Sequence, residues 1–160
     1  MTMDNEERYQ STLEYLYGFV DYSLVRGLHF SAEQFDLQRM RDFMRELGYP
    51  QLTYPIIHVA GTKGKGSVSS LCASALQAQG YKVGLYTSPH LYDYAERIQI
   101  NGVQISHGEL VALVDELRPY LEPGTKLTTF EITTAMAMLY FARHHVDVAV
   151  LEVGLGGRLD

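Results

Sequence analysis

Tryptophan is absent from this chain, and cysteine occurs once in its 160 residues. The single thiol, Cys72, rules out an intrachain disulfide. With Leu71 and Ala75 beside it on a helical pattern, it reads as a small apolar residue in a reducing compartment. Basic residues are also scarce: 13 Lys and Arg face 19 Asp and Glu, a net charge of −6. That balance excludes the broad basic face needed for nonspecific nucleic-acid binding, so any phosphate site must be a local positive pocket. No apolar run approaches the length of a membrane span. The acidic stretch Met1 to Glu7 lacks the charged and apolar regions of a signal peptide, and the expected location is the cytoplasm. The length suits one domain with one sizeable core.

Glycine, by contrast, is concentrated where it matters. Gly61-Thr62-Lys63-Gly64-Lys65-Gly66-Ser67 follows the apolar run Ile56 to Ala60 and opens a helical pattern that runs to about Gln79. Strand, glycine turn and helix in that order form an anion cradle, because backbone N–H groups converge at the helix start and the helix dipole adds partial positive charge. Lys65 adds a full charge. Ser67 adds a hydroxyl suited to a phosphate oxygen or Mg²⁺. The strict G-x-x-x-x-G-K-[ST] pattern is not met: Val59 stands at its first glycine, and Gly66 intervenes between Lys65 and Ser67. The context still points to a nucleotide triphosphate.

Periodicity predicts helices over Tyr9 to Val25 and around Leu37 to Leu47, the second stopped by Gly48 and Pro50. Strands are expected at 56–60 and 82–86, with a helix at 64–79 between them. Arg97 to Ser106 alternates about Asn101-Gly102, a hairpin signal. Helices at 107–121 and 130–145 precede Asp147 to Val153, an almost unbroken apolar run of the kind buried on both faces of a parallel sheet. There is no internal repeat or linker. The chain ends just after a loop leaving that central-type strand, and three parallel strands are few for such a sheet; both features suggest the N-terminal piece of a larger enzyme.

In open α/β sheets, ligands lie beyond the carboxyl ends of the strands. The loops after 60, 86 and 152 should therefore share one crevice. Ser88 is a candidate Mg²⁺ ligand there, or a turn-capping hydroxyl before Pro89. Glu152 interrupts an apolar strand, where an unpaired carboxylate costs several kcal/mol to bury. A divalent cation is the favoured remedy, with Arg97 or Arg158 as the alternative partner. Thr128-Thr129-Phe130-Glu131 reads as a helix cap with a first-turn acid, and equally as two hydroxyls beside a ring suited to a flat heterocycle. Tyr92 and Tyr94 offer stacking surfaces, and His144-His145 suit a helix C-terminus.

From about Tyr9 to Asp160 these residues resemble the folylpolyglutamate synthase and dihydrofolate synthase family of the Mur ligase superfamily. The segments that carry the resemblance are His58 to Ser67 and Leu151 to Asp160, with Thr87-Ser88-Pro89-His90 and Glu96-Arg97-Ile98 between them. The resemblance implies an α/β fold, a P-loop-type mostly parallel sheet flanked by helices. Residues 1–160 would form the N-terminal part of the ATP-binding domain. It implies ATP-dependent joining of L-glutamate to a reduced folate or dihydropteroate carboxylate through an acyl phosphate.

By position, Gly61, Thr62, Lys63, Gly64, Lys65, Gly66 and Ser67 would hold ATP, with Lys65 the central cation. Ser88 and Glu152 would bind Mg²⁺, and Lys65 and Glu152 would be catalytic. Phe35, Asp36, Leu37, Thr128, Thr129, Phe130, Glu131, Leu159 and Asp160 would line the pterin side. Lys63 stands where many members carry asparagine. The family's histidine metal ligand, carbamylated lysine, adenine-binding residues and C-terminal domain would lie beyond Asp160, leaving this piece inactive by itself. Alternatives are another Mur-type amide ligase or a nucleotide-binding module without chemistry; a P-loop kinase would normally show the strict motif.

Overall fold

The computed structural model describes residues 4–19, 37–121, 125–154, 156–157 and 160. The elements are α1 (Asn5–Tyr17), α2 (Leu37–Glu46), β1 (Ile56–Val59), α3 (Lys65–Ala78), β2 (Val83–Tyr86), β3 (Ile98–Ile100), β4 (Val103–Gln104), α4 (His107–Leu121), α5 (Thr129–Arg143) and β5 (Val148–Glu152). Short 3₁₀ turns at Pro50–Leu52 and Tyr94–Arg97 join them.

The sheet order is β1-β5-β2-β3-β4. β5 pairs in parallel with β1 and with β2, while β3 and β4 extend the sheet as an antiparallel hairpin. The hairpin turns at Asn101 and Gly102, both at positive φ, the backbone geometry an Asn-Gly pair tolerates best. β5 lies at the centre of the parallel part and is buried at all five positions. Burial of Val148, Val150 and Leu151 contributes about 1.5–3 kcal/mol each, which helps offset the ordering of the strand.

Side-chain alternation gives the sheet two different faces. Val83, Leu85, Val148 and Val150 pack with Ala73 under α3. Tyr86, Ala149 and Leu151 join the larger core built with α1, α4 and α5. β1 is less enclosed than its apolar sequence suggests: Ile56, Ile57 and His58 are exposed, because among the described residues β1 ends the sheet and pairs with β5 alone.

α1 starts earlier and ends sooner than periodicity predicts. Asp4 and Glu7 form a capping box that begins the helix before the apolar pattern does. Gly18 closes it by returning its N–H to the Glu14 carbonyl. The expected extension to Val25, and the candidate residues Phe35 and Asp36, lie outside the described residues, as do Arg158 and Leu159. Among the described residues no helix is long and apolar enough to cross a membrane.

Candidate functional site

Strand alternation sends Glu152 to the same face as Val148 and Val150, the face covered by α3. At the carboxyl end of β5 it therefore meets the first turn of that helix: a Cβ added at Gly66 would lie 3.4 Å from its Oε2. The carboxylate is only 8% exposed and accepts the Ser88 backbone N–H at 3.1 Å. The loops after β1, β2 and β5 thus converge as expected from the topology. Gly157 adds a further contact, since a Cβ there would approach that of Ala60 to 3.3 Å. A cleft of about 430 Å³ opens between Gly66, Ser88, Leu91, Gln99 and Glu152.

Arg97, weighed as the partner of Glu152, is engaged elsewhere. Its Nε–H donates to His90 Nδ1 at 3.0 Å and its guanidinium lies 4.8 Å from the centre of the Tyr94 ring. Burial first, and then the Arg97 charge, hold His90 below its ordinary pKa, which suits its role as acceptor. Glu152 is thus stabilised by one peptide N–H and by its place at a helix N-terminus. Further lone pairs remain open to a hard cation.

α3 differs from several other helix starts among the described residues. Capping boxes built by Asp4 and Glu7, Asp93 and Glu96, and Thr128 and Glu131 serve α1, the Tyr94–Arg97 turn and α5. α3 starts from Gly64 with no side-chain cap, and Gly64 adopts φ 76°, a left-handed conformation in which glycine is far less strained than other residues. First-turn N–H groups without a side-chain acceptor suit an anion. Thr62, Lys63 and Ser67 are exposed and Lys65 is half-buried. Among the described residues no carboxylate pairs with Lys63 or Lys65.

The opposite face of the same sheet end gathers aromatic groups. Phe130 packs so closely on Gly154 that a Cβ there would fall 2.6 Å from its ring, and its centroid lies 6.1 Å from that of Tyr86. The Tyr86 hydroxyl accepts from Thr134 at 3.2 Å. Burial above all raises the Tyr86 pKa. Thr128 and Glu131 cap each other, and Glu131 also binds Arg39 Nε at 2.8 Å. Thr129 donates to the carbonyls of Leu16 and Phe19, tying α5 to the end of α1. The side chains of Thr128, Thr129 and Glu131 thus have protein partners, while Phe130 faces the loop of Gly154. Leu37 opens α2 and is half-buried.

These two groups stand on the two faces of one strand end. No family model matches the chain. It is, however, 40% identical over 158 residues to the dihydrofolate synthase/folylpolyglutamate synthase of Bacillus subtilis, an alignment covering 95% of this chain and 35% of that protein. The chain belongs to the folylpolyglutamate and dihydrofolate synthase family. It spans about a third of the length of that curated relative. The folylpolyglutamate synthase structure from Thermotoga maritima superposes with a TM-score of 0.85 at 41% identity, covering 98% of this chain and 35% of that one. An FPGS–AMPPCP–folate complex superposes at 0.84 with 39% identity, covering 95% and 36%. The mixed sheet flanked by helices is the Mur ligase arrangement of that family.

One cluster escaped the sequence reading. The Tyr9 hydroxyl donates to Asp93 Oδ1, His107 Nε2 lies 2.7 Å from Asp93 Oδ2, and His107 Nδ1 lies 3.2 Å from Glu6. The Tyr9 and His107 rings stack at 3.6 Å. The D-x-x-E spacing of Asp93 and Glu96 was a readable capping signal, but nothing in the sequence places Tyr9 and His107 together. Partial burial opposes protonation of His107, yet Asp93 and then Glu6 outweigh it and raise the pKa above the ordinary 6.5. Burial likewise opposes ionisation of Asp93, but hydrogen bonds from Tyr9, the Ala95 N–H and His107 lower its pKa below 3.8.

The raised histidine stabilises the fold fully below pH 6.5 and loses that contribution as pH climbs through its folded value. The lowered aspartate contributes above pH 3.8 and loses that contribution as pH falls through its folded value. The melting temperature is therefore expected to fall between pH 6 and 8 more in the native chain than in His107→Gln. Parallel curves for the two would remove the His107 cluster from the stability account.

Proposed function

We propose that this chain is the nucleotide-binding part of an ATP-dependent ligase that joins L-glutamate to the carboxylate of a reduced folate or dihydropteroate. The observation that carries the reading is the uncapped start of α3 facing buried Glu152 and the Ser88 N–H, in a chain of this family. AMPPCP, a non-transferable ATP analogue, and folate in a structural neighbour support the two ligand classes.

In this reading Gly61 to Ser67 wrap the triphosphate, with backbone N–H groups and Lys65 offsetting its charge. Ser88 and Glu152 are the residues that would hold Mg²⁺; both offer hard oxygen, and Glu152 keeps free acceptor capacity. The ion, when bound, neutralises phosphate charge and polarises the transferred phosphoryl group. The other face would take the pterin, with Phe130 as a flat wall; Leu37 and Asp160 are assigned to that side by the family resemblance, as are Phe35, Asp36 and Leu159, which lie outside the described residues. Thr128, Thr129 and Glu131 would act by fixing the start of α5.

The acceptor carboxylate oxygen bonds to the γ-phosphorus as the bond to ADP breaks. The glutamate amine then bonds to the acyl carbon, phosphate leaves, and the amine loses a proton. Positioning and charge neutralisation are what such a transfer mainly requires of a protein.

The test uses the chain joined to the remainder of its ligase. Release of ADP and phosphate is expected only with a reduced folate or dihydropteroate and glutamate together. Turnover with a peptidoglycan precursor instead would move the protein to another Mur-type branch, and nucleotide binding without turnover on any acceptor would make it a binding module. The 160-residue chain by itself is expected to bind nucleotide without turning it over.

A further inference from the structure

The Tyr94–Arg97 turn has no task in the chemistry above, yet it grips the loop that carries Ser88. Glu96 Oε2 accepts the Leu91 N–H at 2.7 Å, and Oε1 accepts those of Tyr92 at 3.0 Å and Asp93 at 2.9 Å. Three consecutive peptide N–H groups thus converge on one carboxylate. The equivalent acids of the other capping pairs, Glu7, Glu109 and Glu131, each take a single backbone N–H at the cap, so Glu96 does more than cap. Burial does not fix this loop: Leu91 is 82% and Tyr92 94% exposed. Arg97 adds two further ties, from its Nε–H to His90 and from its carbonyl to the Thr87 N–H at 3.1 Å. Ser88 lies between those ties, donating to Glu152, and Glu96 and Glu152 line the same cleft.

We propose that Glu96 is a positioning residue: by gathering the N–H groups of Leu91, Tyr92 and Asp93 it holds the 88–93 loop so that Ser88 is presented beside Glu152. Its two oxygens are already occupied by three N–H donors, so it acts on the loop and leaves cation binding to Ser88 and Glu152. The same N–H groups keep its pKa low, so the carboxylate stays ionised at neutral pH and its effect there is independent of pH. The inference rests on reading the cleft as the Mg²⁺–ATP site.

The test compares Glu96→Ala and Glu96→Gln with the native protein by two readouts. In the 160-residue chain without nucleotide, the amide resonances of Ser88, Leu91, Tyr92 and Asp93 are expected to shift, and their hydrogens to exchange faster, in Glu96→Ala. Glu96→Gln, which retains one acceptor oxygen, should fall between; it also decides the matter should the alanine variant fail to fold. In the complete ligase, the Mg²⁺ concentration for half-maximal turnover is expected to rise on the order of 10-fold in Glu96→Ala, with kcat largely recovered at saturating Mg²⁺. Unchanged amides would overturn the proposal, as would altered amides with an unchanged Mg²⁺ requirement. A native ligase without Mg²⁺–ATP turnover would instead overturn the site reading, while the amide data still decide whether Glu96 holds the loop.

Discussion

Replacing Lys65 by alanine in the complete ligase is expected to lower turnover on the order of 10²- to 10³-fold, with little change in melting temperature. Lys65 is the first residue of α3, a helix whose start has no side-chain cap, and no carboxylate among the described residues neutralises it. Its charge is therefore available to a ligand and adds to the partial charge of the helix terminus. In phosphoryl transfer such charge matters most as the γ-phosphoryl group leaves ADP, so the loss should appear in kcat as well as in nucleotide affinity. Lys63, exposed in the preceding turn, should matter less when truncated. Native turnover in Lys65→Ala, measured by ADP release, would remove this residue from the role.

Glu152→Gln should separate stability from activity. The amide keeps an oxygen for the Ser88 N–H and removes a negative charge that is only 8% exposed. Burying that charge is costly while no cation faces it, so the melting temperature without nucleotide should hold or rise. Turnover, by contrast, should fall on the order of 10²-fold if, as proposed, this carboxylate is the charged group that holds Mg²⁺. A Mg²⁺ titration of turnover alongside thermal melts reads both effects. Reduced stability with unaltered Mg²⁺ dependence would make Glu152 a structural acid.

Glu152 also shows how far the sequence could be read. An acid in an apolar strand marks a site, and period-2 alternation already assigns it to the α3 face. Its partner was not legible: a peptide N–H from residue 88 takes the place that Arg97 was weighed for, because the loop after β2 folds back over the end of β5. Thr128 to Glu131 illustrates the converse. The pattern allowed both a cap and a ligand wall, and the structure engages three of the four side chains in capping and tethering. The boundaries of α1 moved for a local reason, since apolar periodicity starts at Tyr9 whereas the capping box starts at Asp4.

What the sequence determined by itself was local: the glycine turn before a helix, the Asn-Gly hairpin and the apolar central strand. Each follows from the conformational limits of neighbouring residues or from a fixed side-chain period. Only the tertiary structure decided which distant groups meet: Ser88 with Glu152, Phe130 with Gly154, Tyr9 with Asp93 and His107. Those meetings depend on strand order and on how α1, α4 and α5 pack across the sheet. Packing of that kind is set by the summed burial of the whole core, and no short stretch of residues encodes it.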